Sequence, residues 1–120
     1  MELLVFVLNN HEKLDEVLTE LEESGIRGAT VIESTGMAKM LHHDEESSVF
    51  FGAIRGVLNS PSRAKSNTIL MVLEKDEVET AVTAIEKVVG DLNHENVGIV
   101  FSIPVDFTKG IRKYEGLDYF

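Results

Sequence analysis

The sequence contains no cysteine in its 120 residues, which excludes disulfides and thiolate metal sites. It contains no apolar run near the roughly 20 residues that a membrane-spanning helix needs. Its first residues, MELLVFVLNNHEK, have no basic segment and no long apolar stretch, so no signal peptide is expected. Positive charge is scarce: 11 Lys and Arg face 21 Asp and Glu, for a net charge of −10. A phosphate backbone would repel such a surface, so no nucleic-acid partner is expected. Several sequence signatures are also missing. There is no Gly-x-Ser-x-Gly nucleophile elbow, no Walker loop and no dinucleotide fingerprint. What remains reads as an ordinary globular chain, 43% hydrophobic and 27% charged. Its length predicts one domain, 1–120, with a modest core, and a cytoplasmic location is expected.

Acid is unevenly spread. Ser47 to Leu73 carry no Asp or Glu, while Arg55, Arg63 and Lys65 fall inside that stretch. The segment is also apolar, with Val49, Phe50, Phe51, Ile54, Val57 and Leu58. It lies within a long stretch of no clear periodicity, Gly36 to Asn67. Loops of that length in compact domains are functional or disordered, and this one is too apolar for a disordered tail. Gly52 and Gly56 permit unusual backbone angles around Ala53-Ile54-Arg55. Aromatic side chains beside one arginine resemble a binding hot spot. Phe50, Phe51 and Arg55 are therefore candidate partner anchors. The competing reading packs both Phe rings onto the protein's own sheet or into a short helix.

On either side of this stretch the pattern is regular. Glu2 to Leu8 is an apolar run of strand formers. Asn9 or Asn10 is a plausible cap for a helix whose stripe is Leu14, Val17, Leu18 and Leu21, and Gly25 supplies its stop. Ala29 to Thr35 and Thr68 to Glu74 read as strands. Asp76 with Glu79 suggests a capping box for a helix with Val78, Ala81, Val82, Ile85, Val88 and Val89 on one side, ended by Gly90. Gly98 to Val105 is the last strand, with Pro104 tolerable near its end. The order β-α-β, long loop, β-α-β predicts an α+β ferredoxin-like βαββαβ sandwich: a four-stranded antiparallel sheet with both helices on one face.

That arrangement leaves a face without cover. Leu3, Val5 and Val7 point to one side of the first strand, and Leu4, Phe6 and Leu8 to the other. The third strand divides in the same way. Strands apolar on both sides expect cover on both. Two helices on one face supply only half of it. The rest comes either from the loop or the C-terminal tail folding back, or from another subunit.

The order of elements and several short motifs resemble the nitrogen-regulatory P-II proteins and their P-II-like relatives. Glu22-Glu23-Ser24-Gly25-Ile26-Arg27-Gly28-Ala29-Thr30-Val31 matches the family's passage from first helix to second strand, and Gly36 the glycine that opens its long T-loop. Phe101 and Pro104-Val105-Asp106 match the end of its fourth strand, and Ile111-Arg112 a basic segment of its tail. The likeness covers everything except the loop, 36–67, and the last positions of the tail, 106–120. It implies a homotrimer with sheets turned inward and no catalysis. It also implies adenine nucleotides (ATP, ADP or AMP) bound in clefts between subunits, and a T-loop that grips a membrane transporter or an enzyme. Carried onto this chain, the ligand-binding candidates are Thr30, Gly36, Gly98 and Arg112.

The chain departs from the family where phosphate would bind. The family's glycine-rich loop, which ends in lysine, is here Gly90-Asp91-Leu92-Asn93-His94-Glu95-Asn96-Val97-Gly98-Ile99. Asn96 stands at a glycine position and Ile99 at the lysine position, while Asp91 and Glu95 would repel phosphate. Weak or absent ATP binding is expected. The family's modified loop tyrosine is missing, since Tyr114 and Tyr119 are both in the tail, so uridylylation is not expected. His42-His43-Asp44-Glu45-Glu46 offers metal-binding chemistry, but adjacent residues rarely converge on one ion, and a solvated loop is expected there. His11 and His94 are isolated. Ser60, Ser62 and Ser66 read as turn residues around Pro61. Two other functions remain open: a trimer that binds a small molecule or metal ion without a protein partner, and an enzyme working in an intersubunit cleft, which would need a buried acid or base of perturbed pKa.

Overall fold

The computed structural model describes residues 1–37 and 65–111. The elements run β1 (Glu2–Leu8), a 3-10 turn (His11–Lys13), α1 (Leu14–Glu23), β2 (Thr30–Ser34), β3 (Ser66–Leu73), α2 (Glu77–Val89) and β4 (Gly98–Pro104). The strands form one sheet in the order β2-β3-β1-β4, and every neighbouring pair is antiparallel. This is the expected ferredoxin-like arrangement.

Local chemistry sets the helix ends. Asn10 accepts the Glu12 N–H through its side chain at 3.1 Å and so starts the 3-10 turn that leads into α1. At the other end Gly25 takes φ +92°. The Ile26 N–H donates to the Leu21 carbonyl at 2.8 Å, and the Gly25 N–H to that of Glu22 at 3.0 Å. Those two bonds form a Schellman motif. It turns Ile26 inward, where it is buried in the same cluster as Leu21. α2 begins differently from the expected Asp76–Glu79 box. Asp76 has helical angles, φ −74° and ψ −13°, and its side chain makes no capping bond. An N-cap residue needs extended angles for its side chain to reach back. Instead the Glu77 carboxylate accepts the Glu74 N–H at 2.8 Å, which is the reciprocal arm of a capping box set two residues earlier.

The core lies between the helices and one face of the sheet. Leu4, Phe6 and Leu8 of β1 and Ile69, Met71 and Leu73 of β3 meet Val17 and Leu21 of α1 and Ala81, Ala84 and Ile85 of α2. Small residues on α2 let that helix sit close. Glu20 and Lys87 join the helices on the outside at 3.0 Å.

Gly98 is fixed by this packing. Its φ is +150°, and a Cβ placed there would lie 2.3 Å from the Val7 carbonyl oxygen and 3.1 Å from Phe6 Cε1. Backbone cannot yield as a flexible side chain can. Gly98→Ala is therefore expected to lower stability by roughly 1–3 kcal/mol, measured as a fall in urea midpoint. An unchanged midpoint would contradict the close approach of β4 to β1.

Candidate functional site

The second face of the sheet is apolar across three strands. The β1–β4 register sets Leu3, Val5 and Val7 opposite Ile103, Phe101 and Ile99. The β1–β3 register adds Val72 and Leu70 on the other side. Beyond them, Ile32 of β2 lies beside Thr68. Phe101 is 45% exposed, Ile103 47% and Ile99 58%. Just after β4 the Val105 N–H donates to the Met1 carbonyl at 3.1 Å, and in the tail Lys109, Gly110 and Ile111 line a groove together with Leu3 and Val72. Among the described residues the tail lies near one end of this face and leaves the β4 side chains open.

That meeting of sheet and tail encloses a groove of ≈ 340 Å³. Leu3, Leu70, Val72 and Ile111 give it an apolar floor, and Gly28, Ala29 and Gly110 leave room above it. Thr30 and Lys109 are its polar lining residues. Thr30 thus lies beside the tail. Gly36 follows the end of β2, and Gly98 opens β4. These two sit at the same end of the sheet but on opposite edges. Three strand spacings of about 4.8 Å separate those edges, so one chain cannot bring Gly36 and Gly98 onto one small ligand. Arg112, Phe50, Phe51 and Arg55 lie outside the described residues, as do Tyr114, Tyr119 and the run from His42 to Glu46.

The stem of the 36–67 loop is held by hydroxyls. Thr68 Oγ1 donates to Ser34 Oγ at 2.9 Å, and Ser66 Oγ donates to the Ser34 carbonyl at 3.1 Å. The hydroxyls of Ser34 and Ser66 are also 3.1 Å apart. Outside them Lys65 Nζ bonds Glu33 at 3.3 Å. Ser66 is thus not the turn residue expected from its nearness to Pro61; it is buried and opens β3. Its hydroxyl is satisfied by the neighbouring strand, which a reading of local turn propensity could not see.

The connection from Gly90 to Val97 uses its own donors. The Leu92 N–H donates to Glu86 Oε2 at 3.0 Å, the Asn93 N–H to Asp91 Oδ1 at 2.9 Å, and the His94 N–H to the Asp91 carbonyl at 3.0 Å. Asn96 takes φ +65°, a left-handed angle that Asn tolerates better than most residues. The left-handed backbone is kept although the expected glycine is not. The residues from 90 to 99 contain no Lys or Arg. This donor set does not fit a polyphosphate: three consecutive N–H groups are engaged and two of their partners are carboxylates. Sequence reasoning missed Glu86. Its signal was an acid in the last turn of a helix, where the macrodipole disfavours negative charge.

Among the described residues no three His, Asp or Glu side chains are grouped to hold a metal ion. None of the described helices is long and apolar enough to cross a membrane. No curated protein sequence matches the chain. The family model described as Nitrogen regulatory protein P-II matches residues 1–115.

Proposed function

Because the chain belongs to the P-II family, whose members are regulators in signal transduction, we propose that it acts as a homotrimer. In this reading it senses a small ligand in the clefts between subunits and signals to a membrane transporter or an enzyme through the loop at 36–67. The observation that carries the reading is the apolar second face of the sheet, with Ile99, Phe101 and Ile103 open to solvent. A contiguous patch of that kind marks an interaction surface, and closed symmetric assembly is the commonest way to cover one. In this reading the β2 edge of one subunit lies toward the β4 edge of the next, which would complete a site from Gly36 and Gly98. Thr30, Lys109 and Arg112 would line the neighbouring groove. The adenine nucleotide that the family implies would place its apolar base in that groove.

The loop is the signalling element in this reading, and the hydroxyl-bonded stem gives it a fixed base. A ligand can shift the loop only by as much as it prefers one loop state over another. Phe50, Phe51 and Arg55 are the proposed anchors on the target. The test is affinity capture from native lysate with wild type, Phe51→Ala and Arg55→Ala, each with and without added AMP. One specific partner should be captured by wild type, lost on either substitution and altered in yield by AMP. A partner set indifferent to both substitutions would reject the loop as the contact element.

A further inference from the structure

A turn whose successive N–H groups face one side is a place where an anion can sit. In the connection between α2 and β4 those groups already have acceptors. Glu86 Oε2 holds the Leu92 N–H, and Asp91 holds those of Asn93 and His94, through its side chain and its carbonyl. Glu86 reaches the loop from the last turn of α2. An N–H donor satisfied by a carboxylate is in a charge-assisted bond, stronger than an ordinary one. An arriving phosphate must displace the carboxylate and then sit beside the charge it displaced. Glu95 adds a third acid to the same connection, and Ile99, where β4 begins, offers no countercharge.

We infer that Glu86 and Asp91 close this loop to polyphosphate, so that the ligand of the proposed cleft presents no polyphosphate chain to it. The exclusion is a property of one chain and needs no assembly. Its extension to the cleft's ligand rests on the proposed function. Glu86 and Asp91 act here as specificity-determining groups, by setting two carboxylate charges against donors that a polyanion would require.

The probe is inorganic tripolyphosphate, titrated into the full-length protein by calorimetry while the backbone amides are followed by NMR. Wild type should show no heat at millimolar concentration and no movement of the Leu92, Asn93 and His94 amides. Glu86→Gln with Asp91→Asn keeps both acceptors and both shapes and removes two charges. It should bind severalfold or more above the wild-type limit, with shifts centred on those three amides. Glu86→Ala with Asp91→Gly frees the Leu92 and Asn93 donors, while the His94 N–H keeps the main-chain carbonyl at position 91, and should bind at least tenfold more tightly than wild type. If that second variant does not fold, the first carries the test alone. Wild-type binding that moves the three amides would overturn the inference, and so would a folded charge-neutral variant as silent as wild type. Light scattering on the same samples separates the two readings. A monomeric wild type whose variants gain tripolyphosphate would reject the trimer and leave the exclusion standing. A trimer that binds tripolyphosphate without substitution would do the reverse.

Discussion

Phe101→Asp is expected to turn the proposed assembly of three 13.3 kDa chains into folded monomers, read by light scattering at micromolar concentration. Phe101 stands opposite Val5 in the middle of the apolar face and is 45% exposed in the isolated subunit. A carboxylate there can reach water in the monomer, so the subunit loses little. In a trimer it would be buried without a partner and repeated in each subunit, and a buried unpaired charge costs several kcal/mol. The monomer should keep its far-UV dichroism and expose apolar surface to a dye. Thr83→Asp, on an exposed position of α2, is the control and should leave the mass unchanged. A wild-type mass equal to one chain would reject the trimer outright.

Phe6→Ala should be the most damaging single truncation in the core, costing about 3–5 kcal/mol. Phe6 is fully buried on the helix side of the central strand β1. A Cβ built at Gly98 would come within 3.1 Å of its ring, so the cavity would open beneath β1 and near the start of β4. Domains of this kind have only about 5–15 kcal/mol of total stability. The variant should therefore unfold at much lower urea, and more so on dilution if folding and assembly are linked. A loss below about 1 kcal/mol would mean that the core collapses into the space, and that Phe6 is not its keystone.

Much of the architecture was legible because it is written in short-range patterns. Alternation in Leu3 to Leu8 gave a strand with two apolar faces, and the stripe from Leu14 to Leu21 gave a helix that Gly25 ends. The misreadings share one cause: the deciding partner was distant or conformational. Ser66 looked like part of a turn because its partner, Ser34, lies a whole loop away. Asp76 looked like a cap by spacing, but its backbone angles are already helical. The candidate site was legible only in pieces. Thr30 and Gly98 could be singled out, yet the sheet order that sets Gly36 and Gly98 on opposite edges is a property of strand pairing. Glu86 carried only the weak signal of an acid in a helix's last turn, because its bond to Leu92 depends on the direction in which the chain leaves α2.

The central position of β1 has a consequence for how the chain is made. Of the described elements β1 leaves the ribosome first, and both of its neighbours come late: Phe6 pairs with Ile69 on one side and Val100 on the other. Each ladder therefore closes more than half the chain later, and long closures slow folding. Until β3 emerges, an apolar strand with two bare edges waits, with α1 and β2 the other described elements already made. Nascent chains of this length are exposed to mispairing. Slow translation between β2 and β3 would prolong that wait, so slowing synthesis across the 36–67 loop is expected to lower the yield of folded protein.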